Sequence, residues 1–245
     1  MIIDDVITDT VSVDYEFLWN CYLFSVIDQE LFEYLQSYLT ERRRELLWEK
    51  AAQRTRHFTV VTEDVYQAHN TSAVLRSCEV FGIQEVHLVT GRYGKRMDRE
   101  IAMGAQKWVD LHRYQSIDSC LSGLRKRGYR LVATTPHGKA VDLADFSIDQ
   151  PAALLFGTEK EGLSEEVVAQ CDVCLRIPMY GFTESLNISV AAAIILQDLG
   201  SRLRRSNVNW QLDMEAQREL VYAWTCNTIK SVDQIIERYT VQKKR

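Results

Sequence analysis

The chain has 245 residues, of which 46% are apolar and 26% charged, close to the globular norm of roughly 45–50% and about 25%. That excludes a wholly disordered chain and supplies enough apolar surface for one large domain or two small ones. The longest charge-free stretch near the N-terminus, Phe17 to Ile27, has 11 residues, against the ~20 of a spanning helix. It follows Asp4, Asp5, Asp9, Asp14 and Glu16, where a signal peptide carries a basic region. No membrane partner is expected, and the cytoplasm is the expected compartment. The formal net charge of −5 hides an asymmetry: residues 1–40 hold eight acidic side chains and no Lys or Arg, so the rest carries 29 basic against 26 acidic groups. The basic residues cluster at Arg42, Arg43 and Arg44, at Lys50, Arg54 and Arg56, at Arg202, Arg204 and Arg205, and at Lys243, Lys244 and Arg245. Such clusters suit a polyanion, because each neutralised phosphate releases counterions; a solvated helix face is the plainer alternative.

In chain order, leucines 31, 35, 39 and 46 predict one long helix over 28–52. Strand and helix patterns then alternate: a strand at 58–62, a helix at 72–81, a strand at 86–89, a helix at 117–127, and strands at 129–134 and 152–156. A helix at 163–169, a strand at 173–177 and a long helix at 188–205 follow. A last helix over about 213–239 carries Val221, Trp224, Thr228, Val232, Ile235 and Tyr239 on one stripe. Short strands alternating with helices predict an α/β fold, a parallel sheet with helices on both faces. The expected segments are an acidic extension of unknown role (1–27), a helical extension whose basic clusters suit a polyanion (28–56), a core domain (57–206) and a C-terminal helix (207–245). Of six cysteines only Cys171 and Cys174 have ligand-like spacing, without a second pair to complete a zinc site, and both read as small core residues. No Asp/Glu/His cluster at ligand spacing accompanies the chemistry-bearing segments described next, so no metal is expected.

Ligands of parallel sheets bind beyond the carboxyl ends of the strands, and three segments follow such ends. Asn70 to Arg76 places Asn70 as a candidate helix N-cap and puts Ser72, Arg76 and Glu79 on one polar face, opposite Val74, Leu75 and Cys78. Gly157-Thr158-Glu159-Lys160-Glu161-Gly162-Leu163-Ser164 sets a charged turn between glycines, with Ser164 able to cap the next helix. Ile177-Pro178-Met179 leads through Ser185-Leu186-Asn187-Ile188-Ser189 into an alanine-rich helix, capped by Asn187 or Ser189. Neither a Gly-x-Gly-x-x-Gly fingerprint nor a P-loop is present, which disfavours dinucleotide and nucleotide-hydrolysing enzymes.

In this order, and over roughly residues 58–205, the three segments resemble the three motifs of the SPOUT RNA methyltransferases of the SpoU/TrmH branch; Lys107-Trp108-Val109 also falls where the family has a similar triplet. The resemblance implies methyl transfer from S-adenosylmethionine (AdoMet) to a ribose 2′-hydroxyl of RNA, a C-terminal trefoil knot and a homodimer. It implies Arg76 as the catalytic arginine, Asn70 as its positioning partner, and Glu159, Ser185 and Asn187 lining the site. AdoMet would lie near Thr134, Gly157, Ile177 and Leu186. Arg42, Arg43, Arg44, Arg54, Arg56, Arg202, Arg204 and Arg205 are the candidate RNA contacts. The sequence is most similar to the tRNA guanosine-2′-O enzymes that act on the D-loop, because the helix before residue 58 leaves no room for the separate N-terminal domain usual in rRNA enzymes. The alternatives are the same reaction on rRNA or the tRNA anticodon loop, and a non-catalytic RNA-binding protein on the same fold. Residues 1–27 match nothing in the family, and one reading places the natural start near Asp28.

Overall fold

The computed structural model describes residues 27–63, 68–90, 104–136, 138–158 and 162–243. In chain order its elements begin with α1 (Gln29–Gln36), α2 (Glu41–Ala51), β1 (Phe58–Glu63), α3 (Ala68–Val80), β2 (Glu85–Val89), β3 (Asp110–Tyr114) and α4 (Ile117–Lys126). They continue with β4 (Arg130–Thr134), β5 (Val141–Asp142), β6 (Ala152–Phe156), α5 (Glu165–Gln170) and β7 (Val173–Arg176). The last are α6 (Ile188–Arg204), α7 (Met214–Thr228) and α8 (Val232–Lys243). The described residues fall into two compact units, one spanning Thr55–Trp210 and the other formed by the residues up to Arg54 together with those from Gln211 onward.

The first unit is built on a seven-stranded sheet in the order β3-β2-β1-β6-β4-β7-β5, parallel at every pairing. Its central strands are continuous apolar or β-branched runs, as a sheet covered on both faces requires. Alternate residues serve opposite cores. Val60, Leu154 and Val132 pack under α3 and α6 with Leu75, Cys78, Ile195 and Leu199. Val61, Leu155 and Leu131 pack under α4 and α5 with Leu121, Leu124 and Val167. The expected fold class, with helices on both faces, is thereby met. The chain lays β1, β2 and β3 outward in one direction, then crosses back so that β6 and β4 lie on the other side of β1. That reversal opens a crevice at the carboxyl ends of β1 and β6.

Two strands escape the sequence patterns. β3 is a half-buried edge strand, Asp-Leu-His-Arg-Tyr, with too little apolar content to signal itself, and β5 has only two residues. The helix expected at 72–81 begins earlier, at Ala68, so Asn70 lies inside α3 and is not its N-cap.

In the second unit the long helix expected over 28–52 is two helices. Thr40 ends the run by capping α2, its hydroxyl accepting from the Arg43 amide at 3.3 Å, while the Ser37 hydroxyl turns back onto the Tyr34 carbonyl at 2.6 Å. The helix expected over 213–239 is also two, broken before Val232 by Ser231 in the left-handed region at φ 54°. Leu35, Cys226, Val232 and Ile235 form the unit's buried centre. Phe32 meets Tyr222 edge-on at 5.7 Å, and Lys243 bridges Asp28 and Glu30 at 3.0 and 2.8 Å. The N- and C-terminal helices, expected as separate extensions, thus share one core. Among the described residues no helix is long and apolar enough to cross a membrane.

Candidate active site

The three segments picked out by sequence meet at the crevice. β1, β6, β4 and β7 are consecutive neighbours in the sheet, so the residues after their carboxyl ends are brought side by side. Asn70, buried in the first turn of α3, accepts through Oδ1 from Nδ2 of Asn187 at 3.3 Å. This bond joins the first and third segments across 117 residues of sequence. Asn187 is also the N-cap of α6: its Oδ1 accepts from the Ser189 amide at 2.8 Å and from the Ser189 hydroxyl at 2.6 Å. The capping role and the site role therefore belong to one side chain. Arg76 stands exposed about two turns into α3, with Val74, Leu75 and Cys78 turned into the core as the helical spacing predicts.

The second segment is held at its base by backbone and by a residue that sequence reasoning did not single out. Thr158 and Gly162 exchange two amide–carbonyl bonds of 3.0 Å each. Gly157 packs so tightly on that pair that a Cβ there would come closer than 3.0 Å to the backbone of Gly162 and Leu163. Glu63, the last residue of β1, accepts from the Ser164 amide at 3.2 Å and the Ser164 hydroxyl at 3.0 Å. Ser164 precedes α5 as expected, but its hydroxyl goes to Glu63 and makes no cap bond. Glu159 lies outside the described residues.

The residues expected around AdoMet cluster at the ends of adjacent strands. Thr134 ends β4, with its hydroxyl donating to the Leu155 carbonyl at 2.7 Å; Gly157 follows β6 and Ile177 follows β7. Leu186 is 37% exposed, and Ser185 beside it is exposed. Cys171 and Cys174 are half-buried; burial, helped by the neighbouring Cys174 and Asp172, pushes the Cys171 thiol up to about 12, as befits a core thiol.

The eight candidate RNA-binding arginines divide. Arg54 is buried, its guanidinium 5.2 Å from the Trp224 ring, which corrects its assignment as a phosphate contact. Arg56 pairs with Glu85 at 2.9 Å and Asp110 at 3.0 Å. Arg202 pairs with Asp198 at 2.8 Å and donates to the carbonyls of Phe146 and Leu143. Arg204 lies over Trp210 at 5.2 Å and donates to the Phe81 carbonyl, and burial lowers its pKa. These four are engaged internally. Arg42 and Arg205 are exposed, and Arg43 and Arg44 half-exposed. Folding also assembles a group that no sequence spacing announces: Glu85, His87 and His112. The two histidines are 25 residues apart and meet only through the register of β2 on β3.

A parallel α/β sheet with side chains from three loops joined at its topological switch point defines a ligand-handling α/β protein with its site at the strand ends. Residues 57–197 match the SpoU rRNA methylase family, and the chain belongs to that family. It is 35% identical over 184 residues to a tRNA (guanosine(18)-2′-O)-methyltransferase of Borreliella burgdorferi, covering 75% of this chain and 84% of that one. The same identity holds over 187 residues to the enzyme of that name from Thermus thermophilus, with 76% and 96% covered. The crystal structure of the Aquifex aeolicus TrmH/SpoU tRNA modifying enzyme superposes with a TM-score of 0.68 at 29% identity, over 78% of this chain and 98% of that one. The SpoU methyltransferase AviRb from Streptomyces viridochromogenes, solved in complex with AdoMet, superposes with a TM-score of 0.56 at 28% identity, over 64% and 62%.

Proposed function

We propose that this protein transfers a methyl group from AdoMet to the ribose 2′-hydroxyl of a guanosine in the tRNA D-loop. The observation that carries the reading is the meeting of all three motif segments at one crevice, closed by the Asn187–Asn70 bond. Relatives named for that reaction on tRNA support the substrate. The ends of β4, β6 and β7 at Thr134, Gly157 and Ile177, with Leu186 ahead of α6, offer backbone and apolar groups, a lining suited to an adenosine and a thioether chain. AdoMet supplies a sulfonium-activated methyl carbon. The 2′-oxygen forms a bond to that carbon as the carbon–sulfur bond breaks, the sulfur keeps the electron pair, and the hydroxyl proton passes to solvent or to an acceptor at the site.

Arg76 acts here as a cation. A guanidinium is a permanent cation with five N–H donors and no acceptor, so it binds the adjacent phosphate and stabilises charge developing on the 2′-oxygen. Asn70 and Asn187 fix the helix that carries it, Ser185 and Glu159 complete the lining, and positioning of the hydroxyl in line with the methyl group supplies much of the rest. The same reading includes the trefoil knot, a homodimer and a cytoplasmic enzyme. The dimer is supported by Leu186, Val190 and Ile194, which leave an apolar stripe 37–45% exposed on α6 and its approach, beside fully exposed Phe182 and Tyr180. Of the arginines, Arg42, Arg43, Arg44 and Arg205 are the RNA contacts; neutralising them is expected to weaken tRNA binding and leave AdoMet affinity unchanged.

The test is methyl transfer from labelled AdoMet to unmodified tRNA and, separately, to rRNA fragments, with alkali-resistant linkages mapped. Label at a D-loop guanosine, lost in Arg76→Ala, is the expected result. Label confined to rRNA or to the anticodon loop refutes the substrate, and AdoMet binding without transfer refutes the enzyme.

A further inference from the structure

At the β2–β3 edge, a cluster of titratable side chains serves none of the chemistry above. The parallel register sets His87 beside His112 and Glu85 beside Asp110, and the two-residue period puts Glu85 and His87 on the same face of the sheet. The imidazole rings stack with centroids 4.8 Å apart and planes 15° from parallel. One ligand atom from each of Glu85, His87 and His112 lies within 4.8 Å of the others. His87 is fully buried, and the Nε2 atoms of both histidines are buried without a hydrogen-bond partner. A buried polar atom left unpaired forfeits its hydration without replacement, and apolar side chains at these two positions would avoid that cost. His87 Nδ1 meets the Tyr114 hydroxyl at 3.2 Å. With Nδ1–H donating there, Nε2 turns its lone pair toward Glu85 Oε2, 3.8 Å away, in the manner of a ligand oriented by an outer partner.

We propose that Glu85, His87 and His112 bind one divalent transition-metal ion of the zinc type, through two imidazole nitrogens and one carboxylate oxygen. Imidazole with carboxylate selects zinc, cobalt or nickel over magnesium or calcium. Bond lengths near 2.0–2.2 Å, about 2.1 Å on average, require the donors to draw together and the stacked rings to tilt. His112, half-buried on an edge strand, has room to do so. Glu85 Oε2 is also bound by Arg127 at 2.5 Å, and Oε1 by Arg56 at 2.9 Å. The metal and Arg127 therefore compete for one oxygen. The Arg127 side chain is 42% exposed and passes readily to solvent, whereas Arg56 stays on Oε1, held also by Asp110. The site is structural: it pins β3, which has little apolar surface of its own, to β2.

The full-length protein, stripped with a chelator and dialysed, is titrated with Zn2+ and with Co2+. The expected results are one equivalent bound, nitrogen–oxygen d–d bands for Co2+ without a thiolate charge-transfer band, and a melting temperature raised by roughly 5–10 °C at a hundredfold excess over Kd. His112→Asn is expected to lose at least about tenfold in affinity, Arg127→Gln to gain affinity, and Cys171→Ser/Cys174→Ser to leave it unchanged. Absence of stoichiometric binding overturns the proposal, as does a thiolate band or an affinity unmoved by Arg127→Gln. That last variant alters an exposed residue and decides the matter even where His112→Asn fails to fold.

Discussion

Asn187 joins a helix cap and a site contact in one amide, and two substitutions separate them. Asn187→Ala removes both: a lost N-cap costs about 1 kcal/mol, which for a chain of this size lowers the melting temperature by about 2–4 °C. Asn187→Asp keeps an oxygen to accept the Ser189 amide and hydroxyl, now at 2.8 and 2.6 Å. Aspartate caps as well as asparagine and its charge suits a helix N-terminus, so the melting temperature is expected to hold or rise slightly. The carboxylate has no N–H to donate, however. The 3.3 Å bond to Asn70 becomes an approach of two oxygens, losing about 1 kcal/mol of net hydrogen bonding and adding repulsion. Because 1.36 kcal/mol in the barrier is about one factor of ten in rate, methyl transfer should fall about fivefold in Asn187→Ala and about tenfold or more in Asn187→Asp, where the repulsion adds to the lost bond. Initial rates on unmodified tRNA, set beside thermal melts, make the comparison. An Asn187→Asp protein with wild-type kcat, or rates that simply track melting temperature, would refute the site role.

Gly157→Ala must push the Gly157–Leu163 backbone apart, because its Cβ has no room against Gly162 and Leu163. Overpacking of this kind costs about 1–3 kcal/mol, and AdoMet affinity measured by calorimetry should drop while the far-ultraviolet spectrum is kept; unchanged affinity would remove Gly157 from the cofactor lining. Arg76→Ala should reduce kcat by about 10²–10³-fold. A pH–rate profile of Arg76→Lys distinguishes cation from base, since an active lysine enzyme with a shifted apparent pKa would favour proton abstraction. Burial holds the Cys120 and Cys171 thiols up at about 12. At about pH 8 their thiolate fraction is then on the order of 10⁻⁴, and peptide mapping after brief iodoacetamide treatment should find both unmodified in the native protein and modified after unfolding. Burial lowers the pKa of His57 from its ordinary 6.5 despite its 2.8 Å bond to the Ile148 carbonyl and the nearby Asp149 charge. The native chain then binds fewer protons than the unfolded one, so stability falls as pH drops below about 6.5. Denaturant midpoints should show a shallower fall for His57→Gln, and an identical fall would count against it.

Local pattern was enough for much of this protein. The runs Phe58–Thr62 and Ala152–Phe156 announce buried strands by themselves, and the spacing of Val74, Leu75 and Cys78 fixes which face of α3 is buried and leaves Arg76 outside. The three motif segments, and the family they belong to, were also readable, because their residue types and order survive without any knowledge of contacts. Helix ends were less legible. Thr40 and Ser231 break helices through a hydroxyl cap and a left-handed backbone, and a helical side-chain stripe running through each break masks it. Arg54 and Arg204 read as surface charge until the fold laid tryptophans beside them. The bond from Asn187 to Asn70, the hold of Glu63 on Ser164, and the meeting of Glu85, His87 and His112 were decided only by tertiary structure. Each depends on which parallel strands pair and in what register. That choice is set by distant packing across crossover connections, whereas sequence periodicity reports only which side of a strand or helix is buried.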